Sequence, residues 1–110
     1  MVEIEEYLDA DGSSPFGVWF DKLDSQAALK VATYLARIET GNTSQLKALG
    51  GGISECRINW GPGIRIYLAW DGIRLVILLG GGTKRRPSKD IDAAKSAWKD
   101  YKARKRKDGK

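Results

Sequence analysis

Arg57, Arg65, Tyr67 and the run Lys84-Arg85-Arg86 are the side chains with which this sequence could do chemistry. The chain has no histidine and a single cysteine, Cys56, so the usual proton shuttle at neutral pH is missing and a thiol would have no imidazole to activate it. Cys56 is expected to be structural, and alone it cannot close an intrachain disulfide. Two guanidiniums, a phenol and a cationic loop fit a phosphodiester better than an apolar ligand. Arginine grips phosphate oxygens through a rigid fork and stays protonated, so it clamps and cannot act as a base. The sequence calls for no metal and no cofactor. Its run Gly80-Gly81-Gly82 lacks the Gly-Lys-Ser/Thr ending of a phosphate loop and reads as a flexible strand exit.

The elements that must position these residues lie between Cys56 and Leu79. Three apolar segments separated by Gly61-Pro62-Gly63 and Asp71-Gly72 have the pattern of an antiparallel meander. Period-2 alternation puts Cys56, Ile58 and Trp60 on one face and Glu55, Arg57 and Asn59 on the other. In the next segment Ile64, Ile66, Leu68 and Trp70 fall together, opposite Arg65, Tyr67 and Ala69. If the polar faces coincide, Arg57, Arg65 and Tyr67 line one surface, and the third segment delivers Lys84, Arg85 and Arg86 near its end.

Around the meander, Val2–Tyr7 alternates apolar and acidic residues and suits an edge strand. Ser14-Pro15 is an N-cap followed by proline, opening a helix with Phe16, Trp19, Phe20 and Leu23 on one face. Trp19 could stack on a ligand, although an aromatic stripe at this spacing is ordinarily core. Asp24 or Ser25 caps a second helix with Ala28, Val31, Leu35 and Ile38 in register, ending near Gly41-Asn42. Residues 43–52 read as a helical turn leading into the meander. A third helix starts at Ser88, carries Ile91, Ala94, Trp98 and Tyr101 on a narrow stripe, and ends in a basic segment from Lys102 expected to fray. The fold class is therefore α+β: a small antiparallel sheet of an N-terminal strand and a three-stranded meander, covered by two N-terminal helices, with a C-terminal helix.

At 110 residues the chain makes one domain that removes about 65% of its unfolded surface from water, enough to need no disulfide or metal. No apolar run approaches ~20 residues and no secretory leader is evident, so a cytoplasmic protein without membrane association is expected. The net charge of +5 is polarised: residues 82–110 hold 12 Lys or Arg against 4 acids, and residues 1–81 hold 7 against 10. Such asymmetry marks a polyanion surface, an acidic partner or a solvated basic end.

The order of strand, two helices, Ser54-Glu55-Cys56-Arg57, the Gly63-Ile64-Arg65-Ile66-Tyr67 strand, Leu79-Gly80-Gly81-Gly82-Thr83-Lys84-Arg85 and Lys89-Asp90-Ile91 resembles the RelE/ParE toxin superfamily, and within it the HigB-like addiction module killer proteins. The resemblance covers residues 2–105. It implies the toxin of a type II toxin–antitoxin pair, partnered by a helix-turn-helix antitoxin and oligomeric only through that complex. It also implies that Arg65, Lys84 and Arg85 match positions that carry catalysis in RNA-cleaving members, with Arg57 matching a basic position on the preceding strand. The sequence departs from those members in having no tyrosine or histidine in the first turns of its last helix; Tyr101 lies far along it.

The superfamily houses two activities on one fold, so the fold alone does not choose. A metal-independent, ribosome-dependent mRNA endonuclease would use Arg65, Tyr67, Lys84 and Arg85 at the reacting centre. Arg57, Arg86, Lys89, Lys102, Arg104, Lys105 and Arg106 would then hold RNA on the ribosome. Lys84 or Lys89 could shuttle protons, and Tyr67 could hydrogen-bond the reacting ribose or phosphate. A gyrase-poisoning toxin would need the same residues only as a surface, and an inactive toxin would survive as a corepressor with its antitoxin. Neither codon preference nor the general acid and base follows from the sequence.

Overall fold

A computed structural model describes residues 1–109. Its elements in chain order are β1 (Glu3–Glu6), α1 (Pro15–Asp21), α2 (Ser25–Glu39), β2 (Leu46–Gly50), β3 (Ile53–Ile58), β4 (Ile64–Asp71), β5 (Leu75–Thr83) and α3 (Pro87–Gly109). The strands form one sheet in the order β1-β5-β4-β3-β2. The α+β class holds, with two corrections to the expected sheet. It is mixed, because β1 runs parallel to β5 with Ile4 beside Val76. It also has a fifth strand, since residues 46–50 form β2, antiparallel to β3, where a helical turn was expected. The glycines that end this segment explain the difference. Gly50, Gly51 and Gly52 have φ values of +93°, +65° and +85°, a run of left-handed conformations that reverses the chain tightly and that other residues resist.

Both helix starts follow the sequence. The Gly17 N–H donates to Ser14 Oγ at 2.8 Å, and the Ala27 N–H donates to Asp24 Oδ1 at 2.8 Å; each cap satisfies one of the amides a helix start leaves unpaired. The sheet is covered on both faces. Phe16, Ala27, Val31 and Ile38 from α1 and α2 pack on Cys56, Ile58, Ile64, Ile66, Leu68, Val76 and Leu78. On the opposite face, Ala94, Ala97 and Trp98 of α3 pack on Ile53, Tyr67, Ala69, Ile77 and Leu79. Fully burying one aliphatic or aromatic side chain of this kind contributes about 1.5–3 kcal/mol, so these two stripes anchor the helices. Cys56 is fully buried in the first cluster, and burial pushes its thiol up to about 11, which fits the structural role expected of it. Among the described residues no helix is long and apolar enough to cross a membrane.

Candidate functional site

The α3 face of β3 and β4 carries its side chains in transverse rows. Arg57 stands opposite Arg65 and Glu55 opposite Tyr67 in the β3–β4 register, while Gly82 and Gly80 of β5 continue the two rows beyond Arg65 and Tyr67. Like charges directly across a strand pair repel. Glu55 offsets this: its Oε1 accepts from Arg57 Nε, and its Oε2 lies 3.9 Å from Arg65 Nη1. The Glu55 side chain is 1% exposed, that of Arg65 18% and that of Arg57 54%, so the carboxylate is the floor of a cationic patch. Beside it a cavity of about 230 Å³ is lined by Arg57, Arg65, Asn59, Gly63 and Lys84. Lys84 reaches it by running its stem along Gly63, where an added Cβ would lie 3.3 Å from Lys84 Cδ. The expected convergence of Arg57, Arg65 and Lys84 is present. Glu55 is the group that sequence reasoning passed over, although its alternation had placed it on this face.

Tyr67 is placed differently from the expectation. It shares the face with Arg65 but is fully buried under α3, and its hydroxyl has no hydrogen-bond partner among the described residues. Burial pushes the phenol above its ordinary range, with the carboxylates of Glu55 and Asp90 adding to that and Arg65 opposing it. A ring packed in this way does not line the open surface. Alternation assigns a face but says nothing of depth, and α3 covers this part of the face. Arg85, Arg86 and Lys89 are exposed at the α3 start. Arg85 and Arg86 border a separate cavity with Trp19 and Asp90, so the loop after β5 divides between the two openings. Gly80-Gly81-Gly82 is not a loose exit: all three lie within β5.

Protein-family models give no match to the sequence. An uncharacterized protein of Haemophilus influenzae is 41% identical to it over 81 residues, which span 73% of this chain and 82% of that protein. The chain belongs to that protein's family. The relationship brings no stated activity, so the chemistry of the family has to be argued from the site.

The basic residues near the C-terminus form a second set, distant from the first. From Lys89 to Arg104 a helix rises about 22 Å, and at that far end the charges are engaged. Asp71 accepts from the Tyr101 hydroxyl at 2.6 Å and from Lys105 Nζ. Asp100 accepts from the Tyr7 hydroxyl at 2.6 Å and from Arg104 Nη2 at 2.6 Å, and Arg104 also donates to the Leu8 carbonyl. The basic segment therefore continues α3 to Gly109 where fraying was expected. A cavity of about 560 Å³ opens here between Tyr7, Leu75 and Tyr101, but the charges on its walls are already engaged, Asp71 with Lys105 and Arg104 with Asp100. Lys102 lies over the Trp98 ring at 5.3 Å. Of the residues expected to hold RNA, Arg104 and Lys105 are thus tied into the fold, while Arg106 is exposed.

These pairs predict a pH dependence. Hydrogen bonds from Lys105 and then Tyr101 hold the Asp71 carboxyl below its usual range; Tyr7 and then Arg104 do the same for Asp100. A depressed folded pKa means stability that is present above about pH 4 and lost as pH falls through the folded value. Asp71→Asn should lower Tm by about 4 °C at pH 7. Thermal melts across pH should show the gap between variant and parent narrowing below about pH 4 and closing in strong acid. A gap that stays constant down to acid would mean the carboxylate charge contributes nothing.

The arrangement supplies three cationic groups, one carboxylate and no histidine, and among the described residues no cluster of metal-ligating side chains. Arg57 and Arg65 are opposed across the strand pair and border one cavity, an arrangement in which both could grip one tetrahedral anion. In doing so they would exchange the Glu55 carboxylate for the anion and free it to accept a proton.

Proposed function

We propose that the chain is the toxin of a type II toxin–antitoxin pair and cleaves mRNA on the ribosome, acting in the cytoplasm and held in check by a helix-turn-helix antitoxin. The observation that carries this reading is the opposed pair Arg57 and Arg65 over buried Glu55, open to solvent beside Lys84. In the proposed reaction Arg65 and Arg57 bind the scissile phosphate and neutralise the charge that grows on it. The ribose 2′-oxygen bonds to phosphorus while the bond from phosphorus to the 5′-oxygen breaks. Glu55 accepts the 2′-hydroxyl proton and the Lys84 ammonium gives one to the departing 5′-oxygen, leaving a 2′,3′-cyclic phosphate and a 5′-hydroxyl. Arg85 and Lys89 hold neighbouring phosphates. Tyr67, buried beneath Arg65, supports the clamp without touching substrate.

Glu55 lies beneath Arg57 in the free protein, so free RNA should be cut little: the strand has to be held bent in line before it displaces the carboxylate. Purified protein added to translating ribosomes should cut within A-site codons and leave 2′,3′-cyclic ends. Growth arrest with intact mRNA, DNA breaks and inhibited gyrase supercoiling would replace this reading with the gyrase-poisoning one. Vigorous cutting of free RNA would keep the nuclease but remove the role given to the ribosome.

A further inference from the structure

We infer that the second opening, between α1, the end of β5 and the start of α3, is a nucleobase pocket that prefers guanine. This rests on the nuclease reading for its biological meaning, but its chemistry is independent of cleavage. The cavity measures about 570 Å³ and is walled by the Trp19 indole, Asp90, Arg85 and Arg86 over a floor of Gly81 and Gly82, within the size range of small-molecule sites.

The floor is cut to fit its walls. A Cβ on Gly81 would sit 2.3 Å from Trp19 Cε3, and one on Gly82 would sit 2.1 Å from Asp90 Oδ2. Both side chains therefore lie directly on the β5 backbone, one from each face of the sheet. β1 pairs with β5 only as far as Leu78, so no strand covers the edge beside these glycines. Asp90 makes no hydrogen bond through its carboxylate and no ion pair among the described residues, and Arg85 and Arg86 have no carboxylate partner there either. The pocket thus combines an aromatic wall, an unengaged carboxylate and two unengaged guanidiniums.

That combination selects a ligand that is flat, anionic at one end and rich in N–H donors at the other, which describes a nucleotide. Guanine presents N1–H and the N2 amine side by side, matching the two oxygens of one carboxylate. Cytosine and adenine place a ring acceptor beside their amine, which a second carboxylate oxygen repels, and uracil flanks its N3–H with carbonyls. The position suits a base adjoining the cleaved bond, since Gly82 is the β5 partner of Arg65. Arg85 and Arg86 would take that nucleotide's phosphate.

The test uses the full-length, isotopically labelled chain titrated with 5′-GMP, 5′-CMP, 5′-AMP and 5′-UMP while amide and indole resonances are followed by NMR. GMP should shift the Gly81, Gly82 and Trp19 signals and bind about tenfold more tightly than AMP or UMP, the discrimination of one two-pronged base contact. Asp90→Asn should erase that preference and leave the response to inorganic phosphate unchanged. Gly82→Ala, which keeps every charge and displaces the carboxylate, should do the same, and the amide spectrum of each variant reports its folding. Equal binding of the four nucleotides, a preference that survives Asp90→Asn, or shifts confined to the turn between β3 and β4 would each overturn the pocket. Because no ribosome or cleavage enters the measurement, a protein that binds GMP here yet cuts no mRNA refutes the nuclease and leaves the pocket standing.

Discussion

Replacing Arg65 by alanine is expected to abolish growth inhibition on induced expression and to slow ribosome-dependent mRNA cleavage by at least about 100-fold, the usual effect of removing one donor from a developing oxyanion. The fold should survive. Arg65 contacts the buried Glu55 carboxylate at a long 3.9 Å. Removing it also relieves the repulsion from Arg57 across the strand pair. The net change in stability should stay within about 1 kcal/mol. Arg65→Lys should also be strongly impaired, because an ammonium cannot grip two phosphate oxygens in one plane. Full toxicity from a folded, well-expressed Arg65→Ala protein would end the clamp role and with it the reaction proposed. Arg57→Ala should cost less, since that side chain is more than half exposed and shares the anion with Arg65.

The site was legible in the sequence as far as one-dimensional patterns reach. Alternation through β3 and β4 put Arg57 and Arg65 on one face because a strand has period two whatever packs on it, and the length of β5 carried Lys84 to their edge. Three features needed the third dimension. Tyr67 obeys the same alternation as Arg65, yet α3 crosses over one and not the other, and no local signal fixes where a helix crosses a sheet. Glu55 reads as one more surface acid until the register sets it between two guanidiniums. The C-terminal lysines and arginines read as a solvated end because the partners of Arg104 and Lys105 include Asp71, 34 positions from Lys105, and the Leu8 carbonyl, 96 positions from Arg104. In the fold, the parallel pairing of β1 was hidden for a related reason. A strand's own pattern shows that it is half-buried but not which neighbour it will lie beside or in which direction.

The run Gly80-Gly81-Gly82 should separate into three distinct results when each glycine is changed to alanine, although composition treats the three alike. A bulge in the β4–β5 register leaves Tyr67 opposite Gly80 and Leu68 opposite Leu78. An added Cβ on Gly80 meets nothing within 4 Å. Gly80→Ala should be neutral or slightly stabilising, since alanine loses less backbone freedom on folding. At Gly82 the new methyl meets the end of the Asp90 side chain, which can turn away, so stability should change by less than about 1 kcal/mol while the nucleotide response is lost. At Gly81 the methyl meets three atoms of the Trp19 ring at 2.3 to 2.5 Å. That indole is held against Phe16, with ring centroids 5.6 Å apart, and packs against the buried cluster, so it cannot move without shifting α1. Overpacking of this kind costs about 1–3 kcal/mol, and thermal melts should show Gly81→Ala lowered by about 5–15 °C. Three equal melting temperatures would mean that α1 rides loosely on β5, in which case the aromatic wall would be no fixed wall at all.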